Sequence, residues 1–226
     1  MNTSAGTTVG QVARFGNDSI RSWVTTDASG APISIGVTFS EAAFNTLPKT
    51  DTSLTLMFPM TMGMGMMTAT PFDHVDIDWV PEGDPEPPYD SAHLDCHFDM
   101  TSMQDMMGFH AGRDSMGMDP KYMPGGYMCD SMVEEMMGVH WMDTTATEFH
   151  GGRFQHTMVF GSYHGTMAFL EPMCAGSFLK TKPNASFDVR QPSQYQRSGY
   201  FPTKYSVKYD ATAKTYTISL DGLSKH

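Results

Sequence analysis

Cysteine, basic charge and long apolar runs are all scarce in this chain, and each scarcity excludes something. Three cysteines in 226 residues, Cys96, Cys129 and Cys174, show no recognisable disulfide or metal spacing. One disulfide with a free thiol, or three free thiols, are both open, and the cysteines do not decide the compartment. Lys and Arg number 14 against 25 Asp and Glu, a net charge of -11, so the basic face that a nucleic-acid partner requires is missing. No stretch approaches the roughly 20 apolar residues of a membrane helix, and a soluble chain without a membrane span is expected. The start, Met1-Asn2-Thr3-Ser4-Ala5-Gly6, lacks the basic residues and apolar run of a leader. A cytoplasmic protein therefore fits, as does a secreted or periplasmic one whose leader has been removed. No Ser-His-Asp order, phosphate loop or nucleotide motif is present.

Methionine is abundant. Of 22 Met, 18 fall between Met57 and Met142. A core needs only a few as flexible gap-fillers. The densest run, Met57 to Met67, is broken by Pro59, Gly63 and Gly65 and keeps no helical or strand period. Its thioethers in Met-x-Met spacing are soft donors suited to Cu(I) or Ag(I). Alternatively, they pack over a hydrophobic floor or against a subunit neighbour.

Alternating apolar and polar residues supply the fold reading. Ser19–Thr26 and Pro32–Phe39, joined by Asp27-Ala28-Ser29-Gly30, form a hairpin pattern. Ser40 as N-cap, Glu41 in the first turn and Pro48 beyond the end delimit one short helix. Further strands are expected at Thr52–Met57, Pro71–Trp79, Gly138–Met142, Phe154–Phe160 and Thr166–Glu171, and a hairpin at Tyr205–Leu220. Residues 100–137 read as irregular, with a helical turn near Met103, and a span that long is usually functional or an interface. The expectation is an all-β chain: a flexible arm over residues 1–17, then one domain over 18–226. That domain would be an antiparallel sandwich or barrel with one short helix and long Met/Gly-rich loops.

The stretch His93-Leu94-Asp95-Cys96-His97-Phe98-Asp99 carries the chemistry. On a strand, His93, Asp95 and His97 share one face and Leu94, Cys96 and Phe98 the other. Two imidazoles with a carboxylate between them can form half of a metal site. His140 and His156, on later strands, and Glu171 are candidates for the rest. Satisfied polar side chains without metal are the competing reading. His110, His150 and His164 lie beside Gly or in turns and are expected to be solvated.

Several segments together resemble a known family. They are Thr70-Pro71-Phe72-Asp73-His74-Val75 with Asp78-Trp79, His93–Phe98, Tyr122–Tyr127, Met137–Asp143, and His156-Thr157 through Phe169-Leu170-Glu171-Pro172-Met173. In this order they are similar to the mostly secreted bacterial all-β domains of unknown function typed by a Thermus protein under extracytoplasmic sigma-factor control. The resemblance runs from about Thr8 to Leu223. It implies an all-β fold and a ring-shaped homo-oligomer, and it supplies no activity. Two departures stand out: Cys96 sits where an aromatic is usual, and Gly83-Asp84-Pro85-Glu86-Pro87 replaces a His-bearing loop.

Three functions follow as expectations. The first is an extracytoplasmic metal-binding protein using His93, His97, His140, His156, Asp95 and Glu171, with copper or zinc as the metal. A second is a metal-dependent hydrolase or oxidoreductase on the same cluster, with Glu171 or Asp95 as base. The third is an oligomeric structural or stress protein without metal. Three ligands with an open position favour the enzyme, and a closed four-ligand site favours storage or structure.

Overall fold

The alternating segments become strands in the computed structural model, which describes residues 5–59 and 70–226. The chain opens with β1 (Gly6–Phe15), β2 (Asp18–Thr26) and β3 (Pro32–Ser40), then α1 (Glu41–Asn45), β4 (Thr52–Met57), β5 (His74–Val80) and β6 (His93–Asp99). After α2 (Met103–Met106) come three two-residue strands, β7 (Gly112–Arg113), β8 (Tyr127–Met128) and β9 (Met132–Val133), and then β10 (Val139–Asp143). A long hairpin follows, β11 (His156–Tyr163) and β12 (Thr166–Ala175), then α3 (Gly176–Leu179) and β13 (Asn184–Asp188). The chain closes with β14 (Tyr200–Phe201), β15 (Lys204–Asp210), β16 (Thr215–Asp221) and β17 (Ser224–Lys225).

Two antiparallel sheets dominate. One has the order β1-β2-β3-β16-β15-β13, the other β4-β5-β6-β12-β11-β10-β8. Each ends in edge strands and neither closes on itself, so the fold is an all-β sandwich and not a barrel. Their inner faces meet in one cluster that includes Ile20, Val37 and Ile218 from the first sheet and Ile77, Leu94, Phe98 and Phe160 from the second. Each such side chain contributes roughly 1.5–3 kcal/mol on full burial, which fixes strand register, since a one-residue slip would invert every face.

The outer face of the seven-stranded sheet is the unusual one. It carries His and Asp from β5 and β6, yet these are largely buried: His74, His93, His97, Asp95 and Asp99 are all inaccessible or nearly so. A second apolar cluster, with Met106, Phe109, Phe154, Val159 and Phe169, shows why. Phe109 stacks on Tyr163 with ring centroids 3.9 Å apart, so part of the 100–137 segment lies over this face.

Three expectations need correction. Residues 6–15, expected within a loose arm, form edge strand β1 paired along β2. Its side chains are mostly exposed, so backbone pairing holds it and no apolar pattern announces it. There are three short helices among the described residues instead of one; α2 and α3 have four residues each, too few to show a helical period. Residues 100–137 are not wholly irregular, since α2 and the strands β7, β8 and β9 fall there. The Ser40 cap is as expected, its hydroxyl accepting from the Ala43 N–H at 3.0 Å. All three cysteines are free thiols, Cys96 and Cys174 buried. Most of the Met57–Met67 run lies outside the described residues. No helix among the described residues is long and apolar enough to cross a membrane.

Candidate metal centre

Three strands build the centre. His97 comes from β6, Glu171 from β12 and His140 from β10. The register from Phe169 opposite Asp99 to Met173 opposite Asp95 puts Glu171 across from His97. His140 must reach over β11, where its cross-strand neighbour is Gly161. Gly161 offers no side chain there, and the Phe169 ring takes that space: a Cβ on Gly161 would stand 2.1 Å from it. Phe169 in turn lies 4.9 Å from the His97 ring and 5.0 Å from the His140 ring, holding both imidazoles.

The ligand atoms converge. His97 Nε2 is 3.5 Å from His140 Nε2 and 3.5 Å from Glu171 Oε2, and the third side, His140 Nε2 to Glu171 Oε2, is 3.8 Å. These separations are too long for good hydrogen bonds. They suit a shared cation, because a point about 2.1 Å from all three atoms exists, the length of a Zn–N or Zn–O bond. Glu171 Oε2 is buried without a hydrogen-bond partner, an orphan that a cation would satisfy. On the far side of the ring, His97 Nδ1 faces Asp78 Oδ2 at 3.3 Å, a carboxylate placed to orient the imidazole.

Electrostatics separate the two imidazoles. Burial pulls His97 down, but the charge of Glu171 and the contact with Asp78 outweigh it and hold His97 well above its usual pKa. Burial, aided by the His97 charge, drives His140 down to about 3, so it is neutral. Burial pushes the Glu171 carboxyl well above the usual range. The centre thus combines one neutral imidazole with an imidazole–carboxylate pair whose two members both hold protons to higher pH than usual.

A cavity of about 450 Å³ opens onto the triad, lined by His97, His140 and Glu171 together with Tyr89, Asp95 and Glu134. Met132, Met137, Met142 and Met173 also line it, so thioethers stand in the same wall. Two imidazoles, one carboxylate and an open side make a ligand set found at catalytic zinc and non-haem iron sites.

The six expected ligands divide. His97, His140 and Glu171 come together. His93 does not join them: four residues along a strand is about 13 Å, too far for two imidazoles to share one ion. Instead His93 Nδ1–H donates to the Ser91 carbonyl at 2.7 Å, and its Nε2 lies 3.3 Å from Asp95 Oδ2 and 3.7 Å from Asp84 Oδ1. Burial opposes its charge, but Asp95 prevails and raises His93 to about 9. Asp95 is therefore a partner of His93 and a wall of the cavity, its carboxyl raised by burial. His156 points to the opposite face of its sheet, with Nδ1 2.8 Å from the Tyr205 hydroxyl and its ring stacked on Phe187 at 3.6 Å. The parity of β11 decides this: Val159 faces the site with Glu171, so His156, three residues earlier, faces away. Asp78 and Glu134 were not among the expected residues. The shared face of His74, Asp76 and Asp78 was readable in the sequence, but its pairing with β6 was not.

A family model described as "TTHB210-like: Hypothetical protein TTHB210" matches residues 27–79. The matched stretch contains His74, Asp76 and Asp78 but none of His97, His140 and Glu171. No curated protein and no solved structure matches the chain. Over residues 27–79, a hairpin strand through β5, the chain is thus similar to a family typed by a hypothetical Thermus protein.

Proposed function

We propose that this protein binds a divalent transition metal, zinc or copper, through His97 Nε2, His140 Nε2 and Glu171 Oε2. The observation that carries the reading is the triangle of 3.5, 3.5 and 3.8 Å closed by an orphaned buried carboxylate oxygen. Imidazole with carboxylate suits Zn(II) and Cu(II), and the thioethers in the cavity wall add donors suited to Cu(I).

A second reading builds on the first: a metal-dependent enzyme, hydrolase or oxidoreductase. Two features favour it over storage, the three-ligand set and the cavity of about 450 Å³ beside it. The chemistry such an ion supplies is Lewis acidity. Glu171 is committed as a ligand here, which leaves Asp95 in the cavity wall as the base, its carboxyl held above the usual range by burial.

Elemental analysis of protein purified without an affinity tag, wild type against His140→Ala, is the test. His140 is the most accessible of the three, its side chain 20% exposed, so the variant risks the fold least. The variant is expected to lose one equivalent of zinc or copper relative to wild type. Equal metal content and affinity in the two proteins would sink the reading.

A further inference from the structure

His74 lies one row from His97 on the same outer face: the β5–β6 register pairs Asp76 with His97 and His74 with Asp99. His74 is fully buried, at 0% exposure, and Asp99 is at 1%. Because a carboxylate can only accept, His74 Nδ1–H donates to Asp73 Oδ1, at 2.9 Å. That leaves Nε2 as the free atom. It faces Asp76 Oδ2 and Asp99 Oδ2, each 3.6 Å away. The other Asp76 oxygen, Oδ1, is held by the Thr55 hydroxyl at 2.5 Å, so Oδ2 is presented to the cluster.

Those 3.6 Å separations exceed hydrogen-bond range. Both His74 Nε2 and Asp99 Oδ2 are buried without a hydrogen-bond partner. Buried groups without a hydrogen bond are rare, and these two face each other at 3.6 Å, within ion-pair reach but beyond a hydrogen bond, which leaves room for a cation between them. Two donor atoms on one first-row metal ion, each bonded at about 2.1 Å, stand at close to this separation.

We infer that His74 Nε2, Asp76 Oδ2 and Asp99 Oδ2 form a second metal-binding site, with its own ligands, for a divalent first-row ion of the Mn(II), Fe(II) or Zn(II) class. One imidazole with two carboxylates is a harder set than two imidazoles with one, which shifts it from copper toward these ions. The two carboxylates balance the charge of a divalent ion. Asp73, on the opposite ring nitrogen, orients the imidazole. The partly exposed side chains of Asp73 and Asp76, at 41% and 22%, give the ion a route from solvent. Asp99 follows His97 by two residues, about 6.6 Å of strand, beyond the roughly 3.5–4 Å of a bridged metal pair. The two sites share no ligand.

The test is equilibrium dialysis of the full chain against Zn(II) and, separately, Mn(II), with metal analysis of wild type, His140→Ala, Asp76→Asn and Asp99→Asn. Wild type is expected to take up two equivalents of zinc. His140→Ala should lose one and keep the other. Asp76→Asn and Asp99→Asn should lose the equivalent that His140→Ala keeps, with affinity falling by about 100-fold or more, beyond the loss typical when a residue that only orients a ligand is changed. Both Asn variants preserve shape, and Asp76 is partly exposed, so its variant remains informative if Asp99→Asn does not fold. Retention of wild-type binding by Asp76→Asn, or loss of all metal in His140→Ala, overturns this site alone. Wild-type metal content in His140→Ala, with none in the Asn variants, overturns the first site and upholds this one. No metal in wild type overturns both.

Discussion

The Phe169 ring lies where a Gly161 side chain would be, its nearest atom, Cε1, 2.1 Å from the position of a Cβ. The two residues face each other across β11 and β12. Because Phe169 also touches both imidazoles of the triad, the glycine is what allows His140 to meet His97 across the two intervening strands, β12 and β11.

Gly161→Ala must therefore displace Phe169. Overpacking of this kind costs typically 1–3 kcal/mol, and a clash with a fully buried ring puts it at about the upper end. Urea unfolding of the metal-free protein measures the loss. Zinc affinity should fall as well, since the imidazoles lose the ring that holds them. Unchanged stability and affinity would show that Phe169 can move without consequence.

Asp78 contributes through His97, its Oδ2 3.3 Å from the ring nitrogen that faces away from the triad. Asp78→Asn keeps the shape and removes the charge. Zinc binding is expected to weaken by about 10–100-fold, the usual effect of an orienting carboxylate. Calorimetric titration reads this directly, and an affinity equal to wild type would remove Asp78 from the site.

Zinc uptake should release protons. His140, pushed down to about 3, is already neutral, whereas the His97–Glu171 pair holds protons that the metal must displace. Net proton release is expected near neutral pH, with affinity rising as pH rises, because both members of the pair hold their protons to higher pH than usual. Titrations in buffers of different ionisation enthalpy measure that release. No buffer dependence would mean the pair is already deprotonated.

His156 gives a separate pH effect on stability. Burial lowers it from 6.5 to about 4. Between those values the unfolded chain binds the proton and the folded one does not, so stability falls as pH drops from 6.5 to about 4 and this contribution is constant outside that window. In His156→Gln the midpoint of thermal unfolding should depend less steeply on pH across that window. An unaltered slope would show that other groups carry the acid sensitivity.

Much of the fold was readable residue by residue. The β2–β3 and β15–β16 hairpins, the Ser40 cap and the faces of β5 and β6 all follow from period two, turn glycines and a capping hydroxyl. The β1 edge strand was not, because an exposed edge buries little and leaves no apolar signature. Of the expected ligands, His97, His140 and Glu171 meet in space. His93 shares a face with His97, but distance along the strand separates them; His156 lies on a strand of the same sheet, but its parity turns it to the opposite face.

Residue parity sets which of the His and Asp residues within one strand share a face, because side-chain direction alternates with a period of two. It makes one face of β5 and β6 acidic and imidazole-rich, and the recurrence of such alternation along the chain makes the fold all-β. Which of those residues meet is settled by the arrangement of the strands in space. Strand order brought β6 next to β12 and placed β10 two strands beyond it, and Gly161 left room for the Phe169 ring that packs against both imidazoles. Neighbours across a sheet are set by hydrogen-bonded pairing between segments far apart in the chain, and no local pattern of residues encodes that pairing.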